Sequence, residues 1–168
     1  MKKLIKNIIY KHNCSLSIKD KNIIKYWQHE GYSDTKIYFE VNRIIKSSSP
    51  LMFDIFLYRW SSNKSHKILN NVNDKFKTLK PLSCTYNPNS EWKYQYISDI
   101  DKEINPVCSK LVFDIKHKSH VFFTDNNEQE VILPSNIKFI VDSVKIEPFY
   151  VSQNININIK TLELRQVE

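Results

Sequence analysis

The chain has 168 residues, enough for one domain with a sizeable core and too few for two comfortable ones. Hydrophobic residues at 41% and charged residues at 26% exclude a disordered or collagen-like chain, and no apolar stretch reaches the roughly 20 residues that span a bilayer. Charge is uneven: residues 1–80 hold 16 Lys+Arg against 6 Asp+Glu and residues 81–168 hold 9 against 12, so the net +7 divides into +10 and −3.

A basic front half suits nucleic acid, an anionic cofactor or an acidic protein surface, and charge alone does not choose among them. The prevalence of Lys, Asn and Ile also matches an AT-rich genome, which discounts the lysine count as a binding signal. Gly31 is the single glycine, so a Walker-type or Rossmann-type phosphate loop is excluded and any nucleotide must be held another way. Cys14, Cys84 and Cys108 are odd in number, with no CxxC and no His at metal-ligand spacing, which points to a reduced protein without a metal site. Met1-Lys2-Lys3 opens like a signal peptide, but Lys6 and Lys11 interrupt the apolar run, so a soluble, intracellular, monomeric protein is expected.

In chain order, Ser17 and Asp20 form a capping-box pattern, and Ile23, Ile24 and Trp27 at helical spacing predict a helix over Lys19–Glu30, stopped at Gly31. Ser33 reads as a second cap, and Ile37, Val41, Ile44 and Ile45 form an apolar stripe that ends at Ser47-Ser48-Ser49-Pro50. Met52 to Trp60 is short, aromatic and aliphatic, and reads as a buried strand with Arg59 at its end. Lys64–Val72 predicts a short helix and Phe76–Thr78 a short strand. The hydroxyl cluster Ser83-Cys84-Thr85 reads as a turn or cap. Tyr86–Asn105 reads as a loop with one helical turn near Glu91–Ile97.

Five further strands are expected: Lys110–Lys116, His120–Thr124, Glu128–Leu133, Ile137–Ile146 and Ile155–Leu164. A strand over Glu128–Leu133 would send Glu128 and Glu130 to one face and Gln129, Val131 and Leu133 to the other. Helices first and strands later predict an α+β fold with antiparallel sheets: one domain over 1–168, helical in 18–49 and a β-sandwich in 51–165.

An Arg at a strand, a Ser-x-Thr and a Glu-x-Glu, in that order, resemble the mono-ADP-ribosyltransferases of the Arg-Ser-Glu class, to which the enzymatic domains of clostridial binary toxins belong. Tyr26, Gly31-Tyr32 and Asn42 are similar to that family's helical motif, and Tyr58-Arg59 to the end of its first strand. Ser83-Cys84-Thr85 is similar to its Ser-Thr-Ser, with Cys84 in the middle place. Glu128-Gln129-Glu130-Val131-Ile132-Leu133-Pro134, followed by Lys138-Phe139, resembles its third motif. The resemblance covers roughly residues 18–165.

It implies NAD as substrate. Cleaving its nicotinamide–ribose bond builds positive charge at the anomeric carbon, as in glycoside hydrolysis. By resemblance Glu130 stabilises that charge and Glu128 activates the acceptor, an arginine of a host or target protein. Arg59 offers a planar fork for the diphosphate, Ser83 holds Glu130, and Thr85 lies with Ser83 along the cofactor. Tyr86, Trp92 or Tyr94 would stack on nicotinamide. The implied protein is an effector made inside the cell it acts on, as by a virus or phage, or the catalytic part of a larger delivery system. Three readings stay open: the transferase, whose acceptor protein is unspecified and which less readily modifies nucleic acid; an NAD glycohydrolase built from the same residues; and a non-catalytic binding module that uses its basic half.

Overall fold

The computed structural model describes residues 2–29, 34–62, 69–90, 105–125, 129–152 and 155–167. Their elements are α1 (Lys2–Ser15), α2 (Ile18–His29), α3 (Thr35–Ser47), β1 (Ile55–Ser62), β2 (Lys75–Lys77), β3 (Leu82–Thr85), β4 (Cys108–Ile115), β5 (Phe122–Phe123), β6 (Glu130–Leu133), β7 (Lys138–Ser152) and β8 (Ile155–Val167). The fold is α+β with predominantly antiparallel strands. No described helix is long and apolar enough to cross a membrane.

The chain divides into two compact units. The first joins Met1–Asp54, Thr78–Tyr86 and Lys116–Ile137. Helix α1 was not anticipated, because its lysines break an apolar run; as a helix, however, Ile5, Ile8, Ile9 and His12 fall on one stripe. His12 is its anchor: Phe123 N donates to Nδ1 at 3.3 Å, and the ring stacks on Phe122 with centroids 5.3 Å apart. Accepting at Nδ1 puts the proton of the neutral ring on Nε2. Burial lowers the pKa of His12 and the backbone of Ser49 partly offsets that.

Helix α2 begins as the capping pattern requires: Asp20 N donates to Ser17 Oγ at 3.1 Å, and Ser17 Oγ donates to Asp20 Oδ2 at 2.8 Å. At α3 the cap is Asp34, whose carboxylate accepts from Lys36 N at 2.9 Å, and not Ser33, which lies outside the described residues. Ile24, Trp27, Val41, Ile44 and Ile45 from these two helices form one apolar cluster with Phe122 and Ile132. The strands beneath them pair antiparallel in the order β3-β6-β5.

Thr78 fastens the far end of β6. Its buried hydroxyl donates to Pro134 O at 2.9 Å and accepts from Ile137 N at 2.9 Å. Thr78→Val keeps the volume but leaves those buried groups without the hydroxyl, so unfolding in urea should show a loss of about 1–3 kcal/mol. An unchanged midpoint would mean that water replaces the hydroxyl at no cost.

The second unit comprises Ile55–Lys77, Asn87–Ile115 and Lys138–Glu168. Its strands run β2-β7-β8-β4-β1, antiparallel except for β4 against β8. The paired Lys-Phe of the third motif sits here: Phe139 is buried against Phe113 at 4.9 Å and Phe76 at 6.2 Å.

Several boundaries differ from those read in the sequence. The first strand starts at Ile55 and continues to Ser62, so Arg59 lies within it and not at its end, because Ser61 and Ser62 go on pairing with Ser109 and Cys108. Ser83-Cys84-Thr85 is not a turn; three successive ladder pairs with β6 make it strand. Residues 69–72 are not helical, while 64–68 of that expected helix, and its neighbour near Glu91–Ile97, lie outside the described residues.

Candidate active site

Strand β6 is short and buried throughout, and it opens on an acid: Glu130 is 2% exposed. A carboxylate so withdrawn from water needs donors. Two reach the same oxygen, Gln28 Nε2 from α2 at 2.6 Å and Thr124 Oγ1 from the segment after β5 at 3.2 Å.

The ladder fixes which side chains share that face. Thr85 stands opposite Glu130 and Ser83 opposite Ile132, so Ser83, Thr85, Glu130 and Ile132 point the same way, with Ser83 diagonal to Glu130. Ile132 belongs to the cluster under α2 and α3, so this is the helix-facing side. Helix α2 meets both strands there through adjacent residues: Trp27 Nε1 donates to Ser83 Oγ at 3.3 Å, and Gln28 takes Glu130. Thr85 is fully buried, and its hydroxyl donates to Gln129 O at 3.2 Å. Cys84 pairs with Val131 and points to the opposite face, so the middle residue of Ser83-Cys84-Thr85 puts no thiol beside the acid.

The expected strand over Glu128–Leu133 needs correction at its start. Gln129 has φ 55°, left-handed backbone that no strand contains, and β6 begins only at Glu130. The expected alternation therefore does not extend back through Gln129, and Glu128 itself lies outside the described residues.

Asn42 closes the other side of β6. Its amide donates to Tyr38 O and to Ser135 Oγ, each at 2.8 Å, and its Oδ1 accepts from Ser135 N at 2.8 Å. The asparagine of the helical motif is thus a clamp between α3 and the residues that follow the strand. Tyr26 is 40% exposed, and Gly31 and Tyr32 lie outside the described residues. Of the aromatics considered for stacking, Tyr86 packs on Phe123 with centroids 6.0 Å apart, and burial raises its pKa; Trp92 and Tyr94 lie outside the described residues.

Arg59 belongs to the second unit. It stands across from Leu111 and shares a face with Ile55, Leu57 and Ser61, half-buried. Trp60, the bulky residue after it, faces the other way, packed with Cys108, Ile157 and Ile159, and the Lys110 ammonium lies over both Tyr58 and Trp60 at 5.2 and 5.6 Å. Its bulk does not crowd Arg59.

Gln28 and Thr124 are parts of the site that the sequence did not reveal. Gln28 lies beside the buried stripe of α2, where a polar residue is ordinary, and carries no signal of its own. Thr124 closes the run Val121-Phe122-Phe123, and a hydroxyl ending a buried apolar run was the one available clue. Chemically, the first unit presents a buried carboxyl group at the start of a strand, with Gln28 and Thr124 as hydrogen-bond partners. A carboxylate so placed stabilises positive charge that develops nearby.

No protein-family profile and no curated protein sequence matches the chain. Solved structures do. The enzymatic component C2-I of the Clostridium botulinum C2 toxin superposes with a TM-score of 0.72 at 9% identity over 96% of this chain, which spans 46% of that protein, about half its length. C3stau2 of S. aureus, solved with NAD, gives 0.66 at 15% identity over 96% of this chain and 92% of its own. Plx2a, an ADP-ribosyltransferase toxin of Paenibacillus larvae, gives 0.64 at 15% identity over 99% and 94%. The fold is that of the ADP-ribosyltransferase toxins.

Proposed function

We propose that the chain is an NAD-dependent mono-ADP-ribosyltransferase, a single transferase domain that cleaves the nicotinamide–ribose bond of NAD and transfers ADP-ribose to an acceptor. The observation that carries this reading is the buried Glu130 carboxylate, tethered by Gln28 and Thr124 and diagonal to Ser83, on the fold shared by the toxins.

The residues fit the substrate. Arg59 brings a bidentate donor suited to a diphosphate, which a chain with one glycine cannot cradle in a backbone loop. Ser83, held by Trp27, and Thr85, held against Gln129, line the strand along which the cofactor would lie. Glu130 stabilises the positive charge that grows on the anomeric carbon as nicotinamide departs with the bonding pair. Glu128 takes a proton from the acceptor nitrogen as that nitrogen bonds to the carbon, and a carboxylate in this role suits a guanidinium, so the acceptor proposed is an arginine of a target protein.

Incubating the protein with a tagged NAD analogue and cell lysate tests this directly. Nicotinamide release together with label on protein is expected, and mass spectrometry of the labelled peptides should place ADP-ribose on arginine. Nicotinamide release without label would make the protein a glycohydrolase. Neither release nor label would overturn the enzyme reading in favour of a binding module.

A further inference from the structure

Glu130 presents a problem for any chemistry that needs its charge. It is 2% exposed, so its oxygens must find hydrogen-bond donors within the protein. Gln28 Nε2, from the last turn of α2, reaches its carboxylate at 2.6 Å. A carboxylate accepts and does not donate, so the amide must present its NH2 group here and not its oxygen.

Thr124 does not duplicate this donor. Its hydroxyl has one hydrogen and two acceptors within reach, Glu130 Oε2 at 3.2 Å and the Glu130 backbone oxygen at 3.4 Å. Serving one leaves the other. Gln28, in turn, is held by its neighbour: Trp27 is fully buried and bonded to Ser83, so the last turn of α2 is pinned to β3 one residue before it reaches β6.

From this geometry we propose that Gln28 is a positioning residue of the site, a side-chain donor that keeps the Glu130 carboxylate aimed at the ribose. The assignment rests on the transferase reading and extends it to a residue outside the three motifs. The Gln28 amide contributes a charge-assisted hydrogen bond to the carboxylate at 2.6 Å.

The test uses two variants of similar length. Gln28→Met has no donor, and Gln28→Glu can offer one only when protonated. In NAD hydrolysis by the intact protein, Gln28→Met should lower kcat by up to about 100-fold with KM nearly unchanged, the scale of loss for a group displaced by about 1 Å. Gln28→Glu should recover activity as the pH is lowered, which a merely structural role would not produce. Crystal structures of wild type and Gln28→Met should show the Glu130 carboxylate moved away in the variant. Unchanged kcat in Gln28→Met, or an unmoved carboxylate, overturns the proposal. If wild-type protein does not cleave NAD at all, the transferase reading fails first, and the carboxylate position in the two crystal structures still decides whether Gln28 holds Glu130.

Discussion

Glu130→Gln is expected to abolish both hydrolysis of NAD and transfer to an acceptor, lowering kcat by about 10²–10³, the scale of losing one preorganised electrostatic group. The side chain keeps its volume, so the apolar cluster around Ile132 is undisturbed and the melting temperature should change little. What disappears is the charge, and both reactions need it because both build positive charge at the same carbon. Glu128→Gln removes an equal charge two residues earlier, yet it is expected to lose transfer to arginine while retaining NAD hydrolysis, since the acid proposed to serve the acceptor is idle when water attacks. Parallel assays of nicotinamide release and protein labelling in both variants read the difference. Equal loss of hydrolysis in the two would show that the acids act as one unit and would remove the support for an arginine acceptor.

Arg59→Lys is the second large effect. Lysine keeps the positive charge but has one ammonium in place of a planar fork, so NAD should bind more weakly by about 1–3 kcal/mol, the range for a hydrogen bond to a charged group. Stability should hold, because the alkyl stem of lysine occupies the same face of the strand, beside Leu57 and opposite Leu111. Calorimetric titration with NAD and a thermal melt measure the two quantities independently. A marked drop in melting temperature with unchanged NAD affinity would assign Arg59 to the fold and not to the cofactor.

Much of the architecture was legible because it obeys a period. Ile37, Val41, Ile44 and Ile45 could be placed on one face of α3 from spacing alone, and Ser17 with Asp20 marked the start of α2, since both patterns are local. Helix α1 escaped because its stripe of Ile5, Ile8, Ile9 and His12 is interleaved with lysines and one of its four members is a histidine. Ser83-Cys84-Thr85 was misread as a turn for a related reason: hydroxyls that face a helix across a sheet look, in sequence, like hydroxyls that face water. The candidate site was legible only where motif order carried it, in Ser83 and Glu130. Gln28 lies 102 residues from Glu130, and no local pattern announces a contact of that range. Gln129 shows the limit from the other side, for alternation in the letters does not reveal that one residue between two acids leaves the extended region.

Among the described residues, that one is joined by Asn73, Lys118 and Asn136 as non-glycine positions with left-handed backbone. A chain with a single glycine has to turn its corners with other residues, and the four differ in how well they suit the task. Asparagine tolerates the conformation, while at Lys118 and Gln129 the Cβ is held against the following carbonyl at a cost of about 1–2 kcal/mol. All four stand in connections between elements, where the cost falls on the backbone of a turn and not on a packed side chain. The apolar cluster under α2 and α3 contains none of these residues. The fold is thus carried by the packing more than by the letters of the sequence: at 9% identity to the toxin component, the chain superposes on it with a TM-score of 0.72 over 96% of this chain.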